Sequence, residues 1–231
     1  MENFSRVSLM IGEEKLNKLK NSSVIVFGVG GVGGYTVESL VRSGVGRIAV
    51  VDNDTVSESN LNRQIIATID SIGKSKVDVI EKRSKEINPE IIFEKYNLFY
   101  LPETADKIDL KSFDYVVDAV DTVKAKLEII ERAKRENVKV ISSMGTAGKL
   151  NPLSLKVCDI KETNYCPLAR VMRRELKKRN IESLKVVFST EKQNTEEIIE
   201  ESGKRTPPSM IFVPATCGII IANEIVKDLI K

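Results

Sequence analysis

The chain has 231 residues, of which 42% are hydrophobic and 30% are charged, so it is long enough for one large α/β domain with a buried core. Its 36 basic and 33 acidic residues leave a net charge of +3, which is too small to indicate a polyanionic partner by itself. The absence of histidine excludes Ser–His and Cys–His nucleophilic chemistry and every histidine-ligated metal site.

The cysteines and the apolar segments exclude two further classes. Cys158, Cys166 and Cys217 form no Cys-x-x-Cys pair, so the sequence predicts no zinc site. Residues 215–230 are the most apolar segment, but they include charged residues and fall short of the ~20 apolar residues that a membrane span needs. No signal peptide is evident, and we expect a cytoplasmic protein without a membrane span.

The first twenty residues are predicted to end in a helix. Their apolar residues, which are the candidates for burial, are Leu9, Ile11, Leu16 and Leu19. Arg6 precedes this helix, and its simplest interpretation is a solvated surface residue.

A glycine-rich loop follows the first buried strand, which is predicted at residues 24–27. Four glycines, Gly28, Gly30, Gly31 and Gly33, allow the backbone to turn tightly and to approach a phosphate. The helix predicted at 35–42 would direct its N-terminal N–H groups toward the same point. Asp52 ends the next strand, 47–51, where a carboxylate can accept from ribose hydroxyls. Such a fingerprint alone is usually that of a dinucleotide-binding dehydrogenase.

Polar residues after Asp52 favour a different nucleotide. Asn60, Arg63 and Lys76 follow it, although a nicotinamide cofactor has no terminal phosphate to be displaced. An enzyme that splits ATP into AMP and pyrophosphate needs cations around the phosphates. Lys76 lies in the first turn of a helix predicted from 71 or 73 to 87, where a cation is unfavourable unless an anion is near. The sequence therefore favours ATP.

The remaining elements alternate in the manner of a parallel α/β sheet. They are strands at 91–96, 113–118, 138–143 and 153–160, and helices at 123–137, 166–179 and 215–230. Asp121 follows the carboxyl end of one strand, the side on which open α/β sheets bind ligands. It is also a candidate N-cap for the helix at 123–137.

The helix predicted at 166–179 is amphipathic and strongly basic. Its apolar stripe is formed by Leu168, Val171, Met172 and Leu176. The other positions carry Arg170, Arg173, Arg174, Lys177, Lys178 and Arg179. Seven basic and two acidic residues lie between 166 and 185. Repulsion between like charges along a helix is unfavourable unless a polyanion compensates it. This face is therefore a candidate nucleic-acid surface that would bind the phosphate backbone of the nucleic acid.

The fold predicted from these elements is a doubly wound, mostly parallel α/β sheet with a smaller C-terminal lobe. We expect an ATP-binding part at 1–150 and the lobe at 151–231, as one continuous domain. Residues 189–209 are predicted to be a mobile loop, because they are polar and lack an apolar period. The sequence leaves open whether this loop is a linker or a substrate lid.

These residues, in this order, resemble the ubiquitin-activating-enzyme-like family of ATP-binding proteins that includes ThiF and MoeB. The resemblance covers nearly the whole chain and extends to Gly73-Lys-Ser-Lys76, Ile87-Asn-Pro89 and Asp118-Ala-Val-Asp121-Thr122. Within the family the chain is most similar to the branch of tRNA threonylcarbamoyladenosine dehydratases (TcdA-like). Residues 4–6, 167–173, 187–189 and 213–218 carry that likeness.

The resemblance implies an ATP- and Mg²⁺-dependent enzyme that adenylates the carboxylate of threonylcarbamoyladenosine in a tRNA anticodon loop, followed by intramolecular ring closure. It implies a nucleotide site formed by Gly28, Gly30, Gly31, Gly33, Asp52, Asp54, Asn60, Arg63, Gln64, Lys76, Asp121 and Thr122. Arg63, Lys76, Asp121 and Arg6 would be catalytic, with Asp121 as the magnesium ligand. Arg6 would enter the partner's site in a homodimer. A sulfur-relay protein is a further possible partner.

Two other functions remain as alternatives. One is a ThiF- or MoeB-type adenylyltransferase for a ubiquitin-like sulfur carrier, for which Cys166 or Cys217 would be the candidate catalytic cysteine. Both cysteines also have a structural interpretation, which we favour: Cys217 as a small buried apolar residue, and Cys166 at the start of the basic helix. The other alternative is an RNA-binding protein with a degenerate nucleotide site, against which the intact polar residues argue.

Overall fold

The computed structural model describes residues 2–194, 199–201 and 204–231. The helices are α1 Ser5–Ile11, α2 Glu13–Lys20, α3 Gly33–Arg42, α4 Lys76–Ile87, α5 Val123–Arg135, α6 Pro167–Lys178 and α7 Phe212–Leu229. The strands are β1 Ser23–Phe27, β2 Arg47–Val51, β3 Ile92–Tyr96, β4 Tyr115–Asp118, β5 Lys139–Ser143, β6 Leu155–Asp159, β7 Lys185–Ser189, β8 Ile199–Glu201 and β9 Lys204–Thr206.

Seven strands form one twisted sheet in the order β3-β2-β1-β4-β5-β7-β6. All neighbours are parallel except β6, which runs antiparallel to β7. The order reverses at β1 and β4, so the loops after these two strands diverge and leave a crevice at the carboxyl edge. The predicted mostly parallel α/β architecture is confirmed.

The sheet is buried on both faces, because β1 is apolar at every central position. Val24 and Val26 point into one core, shared with α3, α4 and α7. Ile25 and Phe27 point into the other, shared with α5 and α6. Helix α7 packs along α3, where Thr36 Oγ1 donates to Gly218 O at 3.2 Å. The C-terminal helix therefore closes over the helix that begins at the glycine loop.

Three predictions about the fold need correction. The segment after residue 150 adds β6 and β7 to the main sheet, and β7 was not predicted. Leu9 is 87% exposed on α1, whose Ile11 packs half-buried against the core, whereas α2 buries Leu16 and Leu19. Helix α4 begins at Lys76 and not at residue 71 or 73 as predicted, because a separate 3₁₀ turn, Ile69–Ser71, precedes it.

The segment 189–209, predicted to be a loop, contains a short antiparallel pair of strands. Ile199 pairs with Thr206 and Glu201 with Lys204. Residues 195–198 and 202–203 lie outside the described residues, so the predicted mobility of this part is not addressed. Across the described chain, none of the helices combines the length and the apolar character needed to span a bilayer.

Candidate active site

The glycine loop between β1 and α3 is held in a tight turn by two glycines. Gly28 has a φ of 87°, and a Cβ there would lie 2.7 Å from Ala119 O. A Cβ on Gly33 would lie 1.8 Å from Gly28 O. Side chains at these positions would therefore open the loop. Gly33 begins α3, so the N-terminal amides of that helix face the space above the loop.

Asp52 fixes the loop from the neighbouring strand. Its Oδ2 accepts from Val29 N at 2.6 Å, and its Oδ1 accepts from Asp54 N at 2.9 Å. The carboxylate thus joins the glycine loop to the turn after β2. Asp52 borders the crevice, as expected for a ribose ligand, and it also shapes the loop itself.

A cavity of about 690 Å³ lies at this carboxyl edge of the sheet. The predicted nucleotide residues that line it are Gly28, Gly30, Gly31, Asp52, Asp54, Asn60, Arg63, Gln64, Lys76, Asp121 and Thr122. Gly33 instead packs behind the loop against Gly28. Residues distant in sequence therefore meet around one volume of the size that small-molecule ligands occupy.

Two cations of this cavity differ in how they are held. Lys76 is buried and donates to Asp54 Oδ2 at 2.9 Å, while its backbone N–H donates to Asp54 O at 3.0 Å. Arg63 donates to Ser59 O at 2.7 Å and to Asn62 Oδ1 at 2.9 Å, which are neutral acceptors. The Arg63 charge is thus uncompensated by any described carboxylate, as suits a residue that meets an anionic ligand.

Gln64 and Asn60 lie deeper in the cavity wall. Gln64 is 7% exposed, and its Oε1 has no hydrogen-bond partner within the part of the chain that the structure describes. Asn60 is also buried, and its Oδ1 accepts from Ser57 N at 3.2 Å, which holds the turn that carries Arg63. A buried amide without a partner is costly, so Gln64 fits a polar ligand in this cavity.

Asp121 is not the N-cap of α5. That position belongs to Thr122, whose side chain makes no capping bond to the helix. The Asp121 carboxylate is exposed at the cavity and accepts a long hydrogen bond from Thr122 Oγ1, at 3.4 Å. The N-cap alternative is therefore wrong, and the carboxylate is available to a ligand. No group of three or more acidic or cysteine side chains within the described ranges could hold a metal ion alone.

Several cavity residues were not singled out from the sequence. They are Leu98, Phe99, Tyr100, Thr146, Ala147, Pro207, Ser209 and Pro214. Thr146 and Ala147 follow the carboxyl end of β5, and the strand position was the available signal. Pro207 and Ser209 end the segment predicted to be a loop, and Asn62 Nδ2 donates to Ser209 O at 2.9 Å. This contact brings the end of the segment to the cavity wall, and the choice between linker and lid stays open.

Arg6 and the basic helix lie outside this cavity. Arg6 is exposed on α1. On α6, Met172 and Leu176 are buried as predicted, whereas Leu168 and Val171 are half-buried. The predicted nucleic-acid residues Arg170, Arg173, Arg174, Lys177 and Lys178 are all on this helix, and Arg173 is the one that is half-buried.

Both candidate cysteines are buried in the manner of structural residues. Cys217 Sγ lies 3.5 Å from Ser143 Oγ, and burial raises the pKa of its thiol to about 11. A thiol of raised pKa in the core is a poor nucleophile. Cys166 is 4% exposed and packs beside Gly145 in the second core. The structure thus favours the structural interpretation of each.

The chain matches the ThiF family over residues 4–231, and it belongs to this family. Two relatives of nearly equal length are tRNA threonylcarbamoyladenosine dehydratases. That of Bacillus subtilis (strain 168) is 40% identical and matches 100% of this chain and 96% of its own length. That of Haemophilus influenzae is 30% identical, with 100% and 94% covered.

A solved structure has the same fold over almost the whole chain. The Escherichia coli tRNA N6-threonylcarbamoyladenosine dehydratase in complex with ATP superposes with a TM-score of 0.90 and 29% identity. The match covers 99% of this chain and 93% of that one. The same enzyme has also been solved in complex with AMP, with a TM-score of 0.90. The similarity therefore extends beyond the nucleotide loop to the C-terminal strands and helices.

Proposed function

We propose that the chain is an ATP-dependent tRNA threonylcarbamoyladenosine dehydratase. The observation that carries the proposal is its similarity to such enzymes along its entire length, at 40% identity to the Bacillus subtilis relative. The cavity agrees with it, because a glycine loop, Arg63 and Lys76 surround a volume large enough for ATP.

The reaction begins with a carboxylate that the substrate brings. The threonylcarbamoyl carboxylate attacks the α-phosphorus of ATP, pyrophosphate leaves, and an acyl-adenylate forms. An atom of the ureido group then attacks the activated carbonyl carbon, AMP leaves, and a ring closes with loss of a proton. The sum is ATP hydrolysed to AMP and pyrophosphate, with one water removed from the nucleoside. No nucleophile from the protein is required, which suits a chain without histidine in which Cys166 and Cys217 are buried.

The protein supplies binding and charge. The amides of the glycine loop and of the start of α3 bind phosphate oxygens, and Asp52 accepts from the ribose. Arg63 and Lys76 stabilise the charge that develops on pyrophosphate. The Lys76 backbone is held by its hydrogen bond to Asp54 O. A rotation of the Lys76 side chain alone would therefore transfer its ammonium group from the Asp54 carboxylate to a bound phosphate.

Mg²⁺ belongs to the same proposal. Magnesium is commonly held by one or two carboxylates together with substrate phosphates. The exposed Asp121 carboxylate would therefore suffice as the protein's ligand to the ion. When bound, the ion would neutralise charge on the phosphates. We also propose a cytoplasmic homodimer in which Arg6 completes the partner's site, with a sulfur-relay protein as a further possible partner.

The experiment that tests the function uses tRNA bearing threonylcarbamoyladenosine, ATP and Mg²⁺. Nucleosides from digested tRNA are examined by mass spectrometry while AMP is measured in parallel. We expect the modified nucleoside to lose one water and AMP to form in equal amount. Arg63→Ala is the matched control, since it removes a charge without altering the core. AMP formation that requires a sulfur-carrier protein, with the tRNA unchanged, would replace this proposal by the alternative. Binding of tRNA without AMP formation from either substrate would favour the degenerate-site alternative.

A further inference from the structure

Ion pairing divides the cations of α6 into two groups. Glu175 lies within 3.2 Å of Arg174, 2.9 Å of Lys178 and 3.2 Å of Arg179. These hydrogen bonds, that from Lys178 first, hold the pKa of the half-buried Glu175 carboxyl at about 2. This group of cations is thus partly neutralised by its own helix.

The second group has a different environment. Arg173 Nη1 donates to Thr163 O at 2.8 Å and also to Thr163 Oγ1. The side chains of Arg170 and Lys177 have no hydrogen-bond or ion-pair partner among the residues that the structure describes. The Lys161 side chain, on the preceding turn, has no such described partner either, although its charge interacts with the nearby Asp159 carboxylate, which accepts from the Lys161 backbone N–H. Lys161 and Lys177 are both exposed. Their charges are therefore available to an anion from outside the chain.

Both free lysines border a cavity of about 540 Å³ at the C-terminal end of α6. Its floor is apolar: Ile160 is 2% exposed, Leu176 is 1% exposed, and Ile181 lies beside them, half-buried. Its rim carries Lys161, Arg173 and Lys177 against one acid, Glu182. An apolar floor with a positive rim is complementary to a ligand that has a flat uncharged part and an anionic part.

The walls of this cavity are fixed by backbone hydrogen bonds. Ile181 N donates to Leu176 O at 3.0 Å across the turn that ends α6, and Ile160 N donates to Leu184 O at 2.9 Å. Asn180 makes the turn with a φ of 57°. The cavity is therefore built by the turns on either side of α6.

We propose that this cavity binds one unstacked nucleotide of the substrate tRNA, with its base on the apolar floor and its phosphate between Lys161 and Lys177. Proteins read single-stranded RNA by splaying out bases onto side-chain surfaces, while lysines hold the backbone. This inference rests on the proposed function, because it assigns a second contact to the same substrate.

Helix α6 connects the two cavities, because its first turn lies near the nucleotide cavity and its C-terminal end borders the second one. Its first turn lies beside Gly145, which is followed by Thr146 and Ala147 in the wall of the nucleotide cavity. A helix of 12 residues is about 18 Å long. At roughly 3.4 Å per nucleotide, the spacing in a stacked strand, that length corresponds to about five nucleotides at most, and to fewer where the strand is unstacked. A nucleotide in the second cavity can thus belong to the same loop as the one that reacts.

The test compares two double variants in steady-state dehydration of modified tRNA over a series of salt concentrations. Lys161→Ala with Lys177→Ala removes the free cations of the cavity. Arg174→Ala with Lys178→Ala is the matched control, since it also removes two charges but from side chains paired with Glu175 and outside the cavity. The first variant should lower the magnitude of the salt slope of log(kcat/KM) by about 0.7 to 0.9, because one phosphate contact is lost, and should raise the tRNA KM about tenfold with kcat unchanged. The control should change both less than half as much.

A third variant tests the base. Ile181→Asn makes the floor polar and keeps every charge, so the tRNA KM should rise about tenfold while the salt slope stays at the wild-type value. ATP affinity and thermal unfolding serve as checks that the nucleotide site and the fold are retained. A wild-type KM for Ile181→Asn would mean that the cavity holds a phosphate alone, which overturns the proposal.

The outcomes separate this inference from the proposed function. Failure of the wild-type protein to dehydrate the tRNA would overturn the function itself. Wild-type activity combined with unchanged tRNA KM in both cavity variants would overturn the second contact alone. A defect seen with a protein partner, at unchanged tRNA KM, would assign the cavity to that protein and likewise overturn the nucleotide.

Discussion

The Arg63 side chain is the cation of the nucleotide cavity whose removal disturbs the protein least. Its hydrogen bonds go to Ser59 O and Asn62 Oδ1 on the same turn. Arg63→Ala should therefore leave the melting temperature nearly unchanged while lowering kcat for AMP formation by about 10²–10³-fold, as for loss of a transition-state charge donor. A loss in kcat of less than fivefold would exclude Arg63 from the phosphate site.

At the same scale, Lys126 and Asp118 form an ion pair with both side chains fully buried. The Lys126 Nζ lies 2.9 Å from Asp118 Oδ2 and donates to Ser143 O at 2.8 Å. It also donates to Val120 O at 3.1 Å, in the loop that carries Asp121. Lys126 thus holds this loop against the end of β5.

Removal of one partner of the pair should be strongly destabilising. Lys126→Met leaves the Asp118 carboxylate buried without its counter-ion, and we expect a loss of about 3–5 kcal/mol in the free energy of unfolding. The double variant with Asp118→Asn should recover part of that loss, because no charge is then buried alone. Urea unfolding of the three proteins measures both effects, and equal stabilities of the single and double variants would contradict the explanation.

Among the elements, α7 is joined to the sheet by a carboxylate near its end. Asp228 Oδ2 accepts from Lys185 Nζ at 2.6 Å on β7 and from Tyr115 OH at 3.0 Å on β4. Burial alone would raise the pKa of Asp228, but the hydrogen bonds from Lys185, Lys231 and Tyr115 outweigh it and hold the pKa at about 2.

This pKa predicts a pH dependence of stability. Because the folded pKa lies below the unfolded value of ~3.9, the contribution of Asp228 is complete above about pH 4 and is lost as the pH falls toward 2. In Asp228→Asn that contribution should be absent at all pH values. The difference in unfolding free energy between wild type and variant should therefore shrink between pH 4 and pH 2. A constant difference across this interval would show that Asp228 titrates normally.

The elements also show where sequence patterns suffice. The strand β1 and the glycine loop could be predicted, since a buried apolar run followed by glycines has few other structures. The strand β7 was missed, although Val186, Val187 and Phe188 form a short apolar run. Such a run is too brief to distinguish a strand from the end of a helix, and pairing with β5 and β6 decides it.

For the whole molecule, the position of Arg6 bears on assembly. Arg6 is exposed and does not line its own nucleotide cavity. Leu9 and Met10 on the same helix are each 87% exposed. A second copy that covers these side chains would bring Arg6 to its surface, as in the proposed homodimer.

Mixing inactive variants tests that arrangement. Arg6→Ala and Arg63→Ala subunits should each be inactive alone, and random exchange between symmetric dimers should restore about a quarter of the wild-type activity, because half of the dimers contain one complete site. Activity that stays at the level of the separate variants, although exchange is demonstrated by labelled subunits, would place Arg6 outside the partner's site.

The sequence by itself determined the glycine loop, the order of polar residues after Asp52 and the family, because these depend on residue type and spacing along the chain. The tertiary structure decided which charges remain free. Glu175 is one residue among seven cations in the sequence, yet in space it pairs with three of them, while Arg170 and Lys177 have no ion-pair partner among the described residues. It also decided that Asp121 is exposed while Asp118, three residues earlier, is fully buried with Lys126. Burial and ion pairing depend on distances between elements, and the periodicity of a single segment contains no information about those distances.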